Sequence, residues 1–236
     1  PPARIRSNTA GPLPEAFNGI TVNGILARTV TDAALVLDAA SGNAAGDLHK
    51  PPPVRAEARL VAEADRHGGT RLSTVYGEPP LLPRRTGHRG GHAEIHLVGG
   101  AAGPLGGDDL RIHLEVGPGA HLVVRTVAAS LAQPSHPPAP STLTVTAVVR
   151  GSLAWLPEPT VAVVGCDHTT RSIVDLADGA QLLWREELIA GRHGEPPGDL
   201  ATTTTVRYAG RTVLRHDLAI GPRADDGPAT TGGARA

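Results

Sequence analysis

The chain contains no methionine, and of its 236 residues one is cysteine and 2% are aromatic. Each scarcity excludes something. With Cys166 alone no internal disulfide can form, which fits a reducing compartment and makes the cytoplasm the expected location. Phe17, Tyr76, Trp155, Trp184 and Tyr208 are the whole aromatic set, too few to build stacking platforms for bases. A net charge of -1 supplies no basic footprint either, so nucleic acid is not the expected partner. No apolar run approaches the ~20 residues that span a bilayer, so no membrane partner is expected. The opening Pro1-Pro2-Ala3-Arg4 has neither the charged region nor the apolar core of a secretory signal, and without methionine it reads as a stretch inside a longer polypeptide.

What is present points to β-structure. A hydrophobic content of 40% can supply a core, while Gly 29 and Pro 22 demand many turns and make long helices scarce. The chain divides at Pro51-Pro52-Pro53. Before that point lies one helix pattern: Thr29 as a cap, Val30, Ala33, Ala34 and Leu37 on one face, and Gly42 just past the end. After it the period changes to two. Residues 111–116 alternate, and so do residues 141–149, with Leu143, Val145, Ala147 and Val149 on one face. From residue 54 onward the expectation is almost pure β-structure.

Glycine turns at Gly119, Gly151, Gly179 and Gly210 recur at near-even intervals, each joining one hydrophobic strand to the next. Tight hairpin turns require positive φ, which explains glycine there. Hairpins at such a period suggest units stacked along an axis, each too small to bury its own face. The expected fold is therefore mostly β, with stacked antiparallel hairpins in a β-helix-like arrangement and one short helix in the N-terminal fragment. Regularly spaced short strands fit a sandwich as well.

Residues 153–161, Leu-Ala-Trp-Leu-Pro-Glu-Pro-Thr-Val, hold one carboxylate between two prolines at the end of a strand. Pro157 and Pro159 fix φ and donate no hydrogen bond, so a sheet cannot run through them and Glu158 sits at a stiff corner. Trp155 is expected to pack inward and anchor that corner.

Several blocks, taken in order, resemble the urease accessory protein UreD (UreH) family in its actinobacterial form. They include Pro80-Leu-Leu-Pro-Arg-Arg85, His96-Leu-Val-Gly-Gly-Ala101, Pro104-Leu-Gly-Gly-Asp108, Arg125-Thr-Val-Ala-Ala-Ser130, Trp155-Leu-Pro-Glu-Pro-Thr160 and Arg185-Glu-Glu-Leu188. The resemblance covers residues 54 to 236. It implies a non-enzymatic scaffold in urease maturation, acting with urease apoprotein and the accessory proteins UreF and UreG. It also implies a mostly β fold, no cofactor of its own, and nickel in transit through an internal passage.

Such a passage wants carboxylates, carbonyls and water in incomplete coordination, so that the ion can leave again. Asp108, Glu158, Glu186 and Glu187 are the acids within matching blocks. Each has a plainer reading. Asp108, after two glycines, suits a turn that accepts backbone hydrogen bonds. Glu186 and Glu187 are expected on a strand, where consecutive residues face opposite ways, so at most one points inward. His92, Glu94 and His96 share one face if extended; the two imidazoles suit nickel, and the same pattern describes an ordinary solvated face.

Residues 1–53 differ from this family. Residues 24–38 and the following Ser41-Gly-Asn-Ala-Ala-Gly-Asp47 resemble a fragment of an amidase-signature enzyme. That family works through a lysine and two serines, and the sole lysine here is Lys50 in the proline-flanked connector. The division expected is an amidase-like remnant and connector over 1–53, and a UreD-like β domain over 54–236 that is incomplete at its C-terminus, with an exposed hydrophobic edge. Amide hydrolysis and direct nickel storage are the alternative functions.

Overall fold

The structure is a computed structural model that describes residues 53–224; the segment with the amidase-like pattern and its expected helix lie outside them. The described residues form fifteen strands. The first four are β1 (Arg55–Ala64), β2 (Thr70–Gly77), β3 (Leu81–Arg89) and β4 (His92–Gly99). Nine strands follow: β5 (Asp109–Val116), β6 (His121–Thr126), β7 (Ser130–Ala132), β8 (Ser141–Val149), β9 (Ser152–Leu156), β10 (Thr160–Ala162), β11 (Asp167–Leu176), β12 (Gln181–Trp184) and β13 (Leu188–Ile189). The last two are β14 (Asp199–Tyr208) and β15 (Arg211–Ile220). No described helix is long and apolar enough to cross a membrane.

The strands make three sheets. A large sheet runs β15-β14-β11-β8-β5-β1-β2, a middle sheet β12-β9-β6-β4-β3, and a small sheet β13-β10-β7. The chain visits them in turn: β5, β6 and β7 lie one in each sheet, then β8, β9 and β10, then β11, β12 and β13. Each set is one coil of a three-sided solenoid. Coils stack in register and in parallel, with Leu114 beside Ala147, Ala147 beside Val174, and Val174 beside Val206.

The β-helix-like stacking stands, but its coils pair in parallel, and among the described residues antiparallel pairing is confined to β1 with β2, β3 with β4 and β14 with β15. Gly119, Gly151 and Gly179 turn the chain from the large sheet into the middle one, so the strands they join do not pair with each other. Of these four glycines only Gly210 closes an antiparallel hairpin, β14 with β15. Local alternation says which side chains face inward, not whether a turn doubles back or bends into a new sheet. Gly151 also differs in its reason: it has no positive φ, and a Cβ there would lie 2.2 Å from the Ala120 carbonyl oxygen.

Burial follows the period of two. In β1, Ala56, Ala58, Leu60 and Ala62 point inward, and Leu60 is wholly buried against Leu114 of the neighbouring coil. The middle sheet answers with Ile95, Leu122, Val124 and Leu153, and these with the large sheet form the main core. A smaller cluster of Ala132, Ala162, Cys166, Leu200 and Ile220 joins the small sheet to the large one. Between these two cores the solenoid is hollow. At the far end, β15 is exposed over most of its length, with Val213 and Leu214 open to solvent.

Candidate functional site

The hollow has a volume of about 520 Å³ and reaches all three sheets. One wall is a stack of corners where the chain passes from the middle sheet to the small one: residues 127–129, 157–159 and 185–187 in successive coils. The two prolines make the second corner rigid, and hydrogen bonds fasten the three together. The Glu158 amide donates to Thr126 Oγ1 (2.9 Å), and Arg185 Nη2 donates to the Pro157 carbonyl (3.0 Å). Trp155, buried beneath the corner, stacks on Trp184 with ring centroids 5.3 Å apart.

This stacking brings three of the sequence-derived acids to one cavity: Glu158, Glu186 and Glu187 all line it. They differ in setting. Glu158 is exposed. Glu186 is half-buried and fully engaged: Oε1 accepts from Ser172 (2.8 Å) and Trp184 Nε1 (3.1 Å), and Oε2 accepts from Thr204 (3.0 Å). Glu187 is exposed and lies 3.5 Å from Arg185 Nε. The pair sits on the connection between β12 and β13 rather than on a strand, and only Glu186 turns inward.

The other three candidates lie elsewhere. Asp108 is 3% exposed, and its carboxylate accepts from the Val54 amide (3.0 Å) and the Leu105 amide (2.8 Å), tying the preceding loop to the start of β1. His92 and His96 do share one face of β4, but it is the outer face. There the His92 ring lies 5.2 Å from that of His121, His96 Nδ1 lies 2.5 Å from Thr86 Oγ1, and Glu94 between them pairs with Arg125 at 3.3 Å. Among the described residues no group of three or more His, Cys, Asp or Glu side chains is arranged to hold a metal ion.

Opposite the acidic corners, the large sheet presents polar side chains that the sequence reading did not single out. His168, Thr170 and Thr202 line the cavity. His168 is 2% exposed, and burial pushes its imidazole down to about 4, so the ring is neutral at physiological pH. Ser141 Oγ is 2.8 Å from its Nδ1, and Thr170 Oγ1 is 3.3 Å from its Nε2. A signal existed: Asp167-His-Thr-Thr170 and Thr202-Thr-Thr-Thr205 place polar residues at alternate, inward positions of strands. Cys166 nearby is buried, and desolvation first, then the Asp199 and Asp167 carboxylates, push its thiol up to about 11. It stays protonated at neutral pH and is a poor metal ligand.

Fold and cavity together define a class: a three-sided parallel β-solenoid built around a hollow whose walls carry carboxylates on one side and hydroxyl and imidazole groups on the other. A finer assignment comes from likeness to known proteins. Residues 54–236 match the family model described as UreD urease accessory protein. A urease accessory protein UreD of Parafrankia sp. is 44% identical over 207 residues, covering 78% of this chain and 70% of the relative. That of Streptomyces coelicolor is 45% identical over 188 residues, covering 78% and 74%, and that of Frankia alni 39% over 246 residues, covering 88% and 80%. The chain belongs to the UreD urease accessory protein family.

Proposed function

We propose that this protein is a urease maturation scaffold that works with urease apoprotein and the accessory proteins UreF and UreG in the cytoplasm, and that nickel is its cargo rather than its cofactor. The observation that carries the reading is the cavity, with Glu158, Glu186 and Glu187 stacked on one wall. A passage needs ligands that lower the cost of desolvating a divalent ion without completing its coordination. Exposed Glu158 and Glu187 answer that need near the surface. Glu186, with three hydrogen bonds already accepted, is a weaker ligand and a stronger wall.

The test is urease activation in cells carrying Glu158→Gln, which keeps shape and removes charge. We expect urease protein at normal abundance with less nickel per active site and several-fold lower activity. Normal urease activity after deletion of this protein would overturn the maturation role; normal nickel loading with Glu158→Gln would remove that carboxylate from the route.

A further inference from the structure

A sheet edge left open to water is a template for a further strand, and soluble proteins usually blunt it with lysine, proline, a bulge or a covering loop. β15 ends the seven-stranded sheet and, among the described residues, pairs with β14 alone. It carries no lysine and no proline. Its one irregularity lies opposite Val206 and Arg207, so the ladder runs regularly from Leu214 to Ile220. Residues 211–217 are all exposed, and Leu214 is 49% exposed although it stands beside buried Val206. We infer that this edge is a docking surface for a second copy of the same chain: two β15 strands pair antiparallel about a two-fold axis at His216. Such pairing does not involve the cavity, so it stands or falls apart from the passage.

The order of side chains favours both this partner and this register. A two-fold axis perpendicular to the sheet keeps inward faces inward, so facing residues must lie on one face and the axis must pass through a residue position rather than between two. With His216 opposite itself, Arg215 of each copy faces Asp217 of the other, which makes two ion pairs, and Leu214 faces Leu218, which makes two apolar pairs. Leu214, His216 and Leu218 lie on the inward face, since they neighbour Val206, Thr204 and Thr202 of β14. Arg215 and Asp217 lie on the outer face, where within one copy their side chains already meet at 3.4 Å and both are exposed. Moving the axis one residue either way sets Arg215 against Arg215 or Asp217 against Asp217, and like charges directly opposite destabilise a sheet. Each copy offers the other the same patch, so the contact closes at a dimer and joins two seven-stranded sheets into one.

Sedimentation velocity of the full chain reads the assembly, and we expect a monomer–dimer equilibrium. Arg215→Asp sets acids against acids at both ion pairs, and Asp217→Arg sets bases against bases. Each variant alone should therefore dissociate, its Kd rising about 10-fold or more. Mixed together, the two variants restore both pairs and should form a heterodimer with near wild-type affinity. Both positions are exposed, so the fold should survive, and circular dichroism checks that it does. Leu214→Lys places on the edge the residue that commonly guards one, and should leave a monomer. A monomeric wild type overturns the inference and leaves the edge to a different protein or to residues 225–236. A dimer that tolerates Leu214→Lys is made by another surface and overturns it too. Charge variants that each fold but stay monomeric when mixed remove the two-fold register, and wild-type assembly beyond the dimer contradicts a contact that closes.

Discussion

Two stretches of the same inner surface behave differently. Along one row of the large sheet, the side chains facing inward run Ala58, Ile112, Val145, Ser172 and Thr204 in register from coil to coil. The neighbouring row runs Leu110, Leu143, Thr170 and Thr202. Both begin aliphatic and end in hydroxyls. A solenoid normally stabilises itself by stacking like on like, because each coil cannot bury its own face. In these two rows the first coils follow that rule and the later ones depart from it, and in the first row hydrogen bonds take over: Ser172 and Thr204 both donate to Glu186, which also holds Trp184. Burying a hydroxyl without a partner costs a few kcal/mol, so the polar end is affordable only because the carboxylate reaches in from the opposite corner. The difference teaches that the apolar positions carry the fold while the polar ends of these rows shape the hollow.

The contrast can be broken first at its apolar end. Leu60→Ala should cost about 2–5 kcal/mol of unfolding free energy, since Leu60 is wholly buried among packed coils. Chemical denaturation reads the loss, and a cost below 1 kcal/mol would mean the apolar coils are not the mainstay.

The polar end should reveal itself through acid. His168 is neutral when folded, with its value lowered to about 4 from the usual 6.5. Between those values the unfolded chain binds the extra proton, so stability is whole above pH 6.5 and falls as pH drops toward 4, by up to about 3 kcal/mol. Comparing melting temperatures across that range in wild type and His168→Gln isolates the contribution; parallel curves would refute it.

A smaller effect is expected at the bridge between the two walls. Glu186→Leu strands the donors of Ser172, Trp184 and Thr204 and should cost about 1–3 kcal/mol, whereas Glu186→Gln, which still accepts and whose hydroxyl partners can rotate, should cost less. Equal melting behaviour of the two variants would show that the network contributes little.

Much of the fold was legible because it is local. The alternation in residues 141–149 marks a strand and its buried face, and Val145, Ala147 and Val149 are indeed buried. The two prolines around Glu158 mark a corner, and a corner is found there between β9 and β10. The direction of pairing was not legible. Gly119 and Gly210 have similar positive φ, yet one bends the chain into another sheet and the other closes a hairpin. The candidate site divides along the same line. Glu158, Glu186 and Glu187 drew attention through the blocks that contain them, and they meet because corners stack. Asp108 sits in an equally suggestive block, but its carboxylate is turned to the Val54 and Leu105 amides. His168 went unnoticed because one histidine among threonines has no signature until its strand is known to face a hollow.

The sequence by itself determined the β class, the places where strands end, and membership of the UreD urease accessory protein family, since these follow from residue chemistry at short range and from ordered motifs. Tertiary structure alone decided that the coils stack in parallel, that three distant carboxylates share one wall, and that His168 and Thr202 face them across a cavity. The physical reason is that a parallel neighbour is reached only after a whole coil of chain, so which side chains meet depends on the register of stacking rather than on any pattern within one strand.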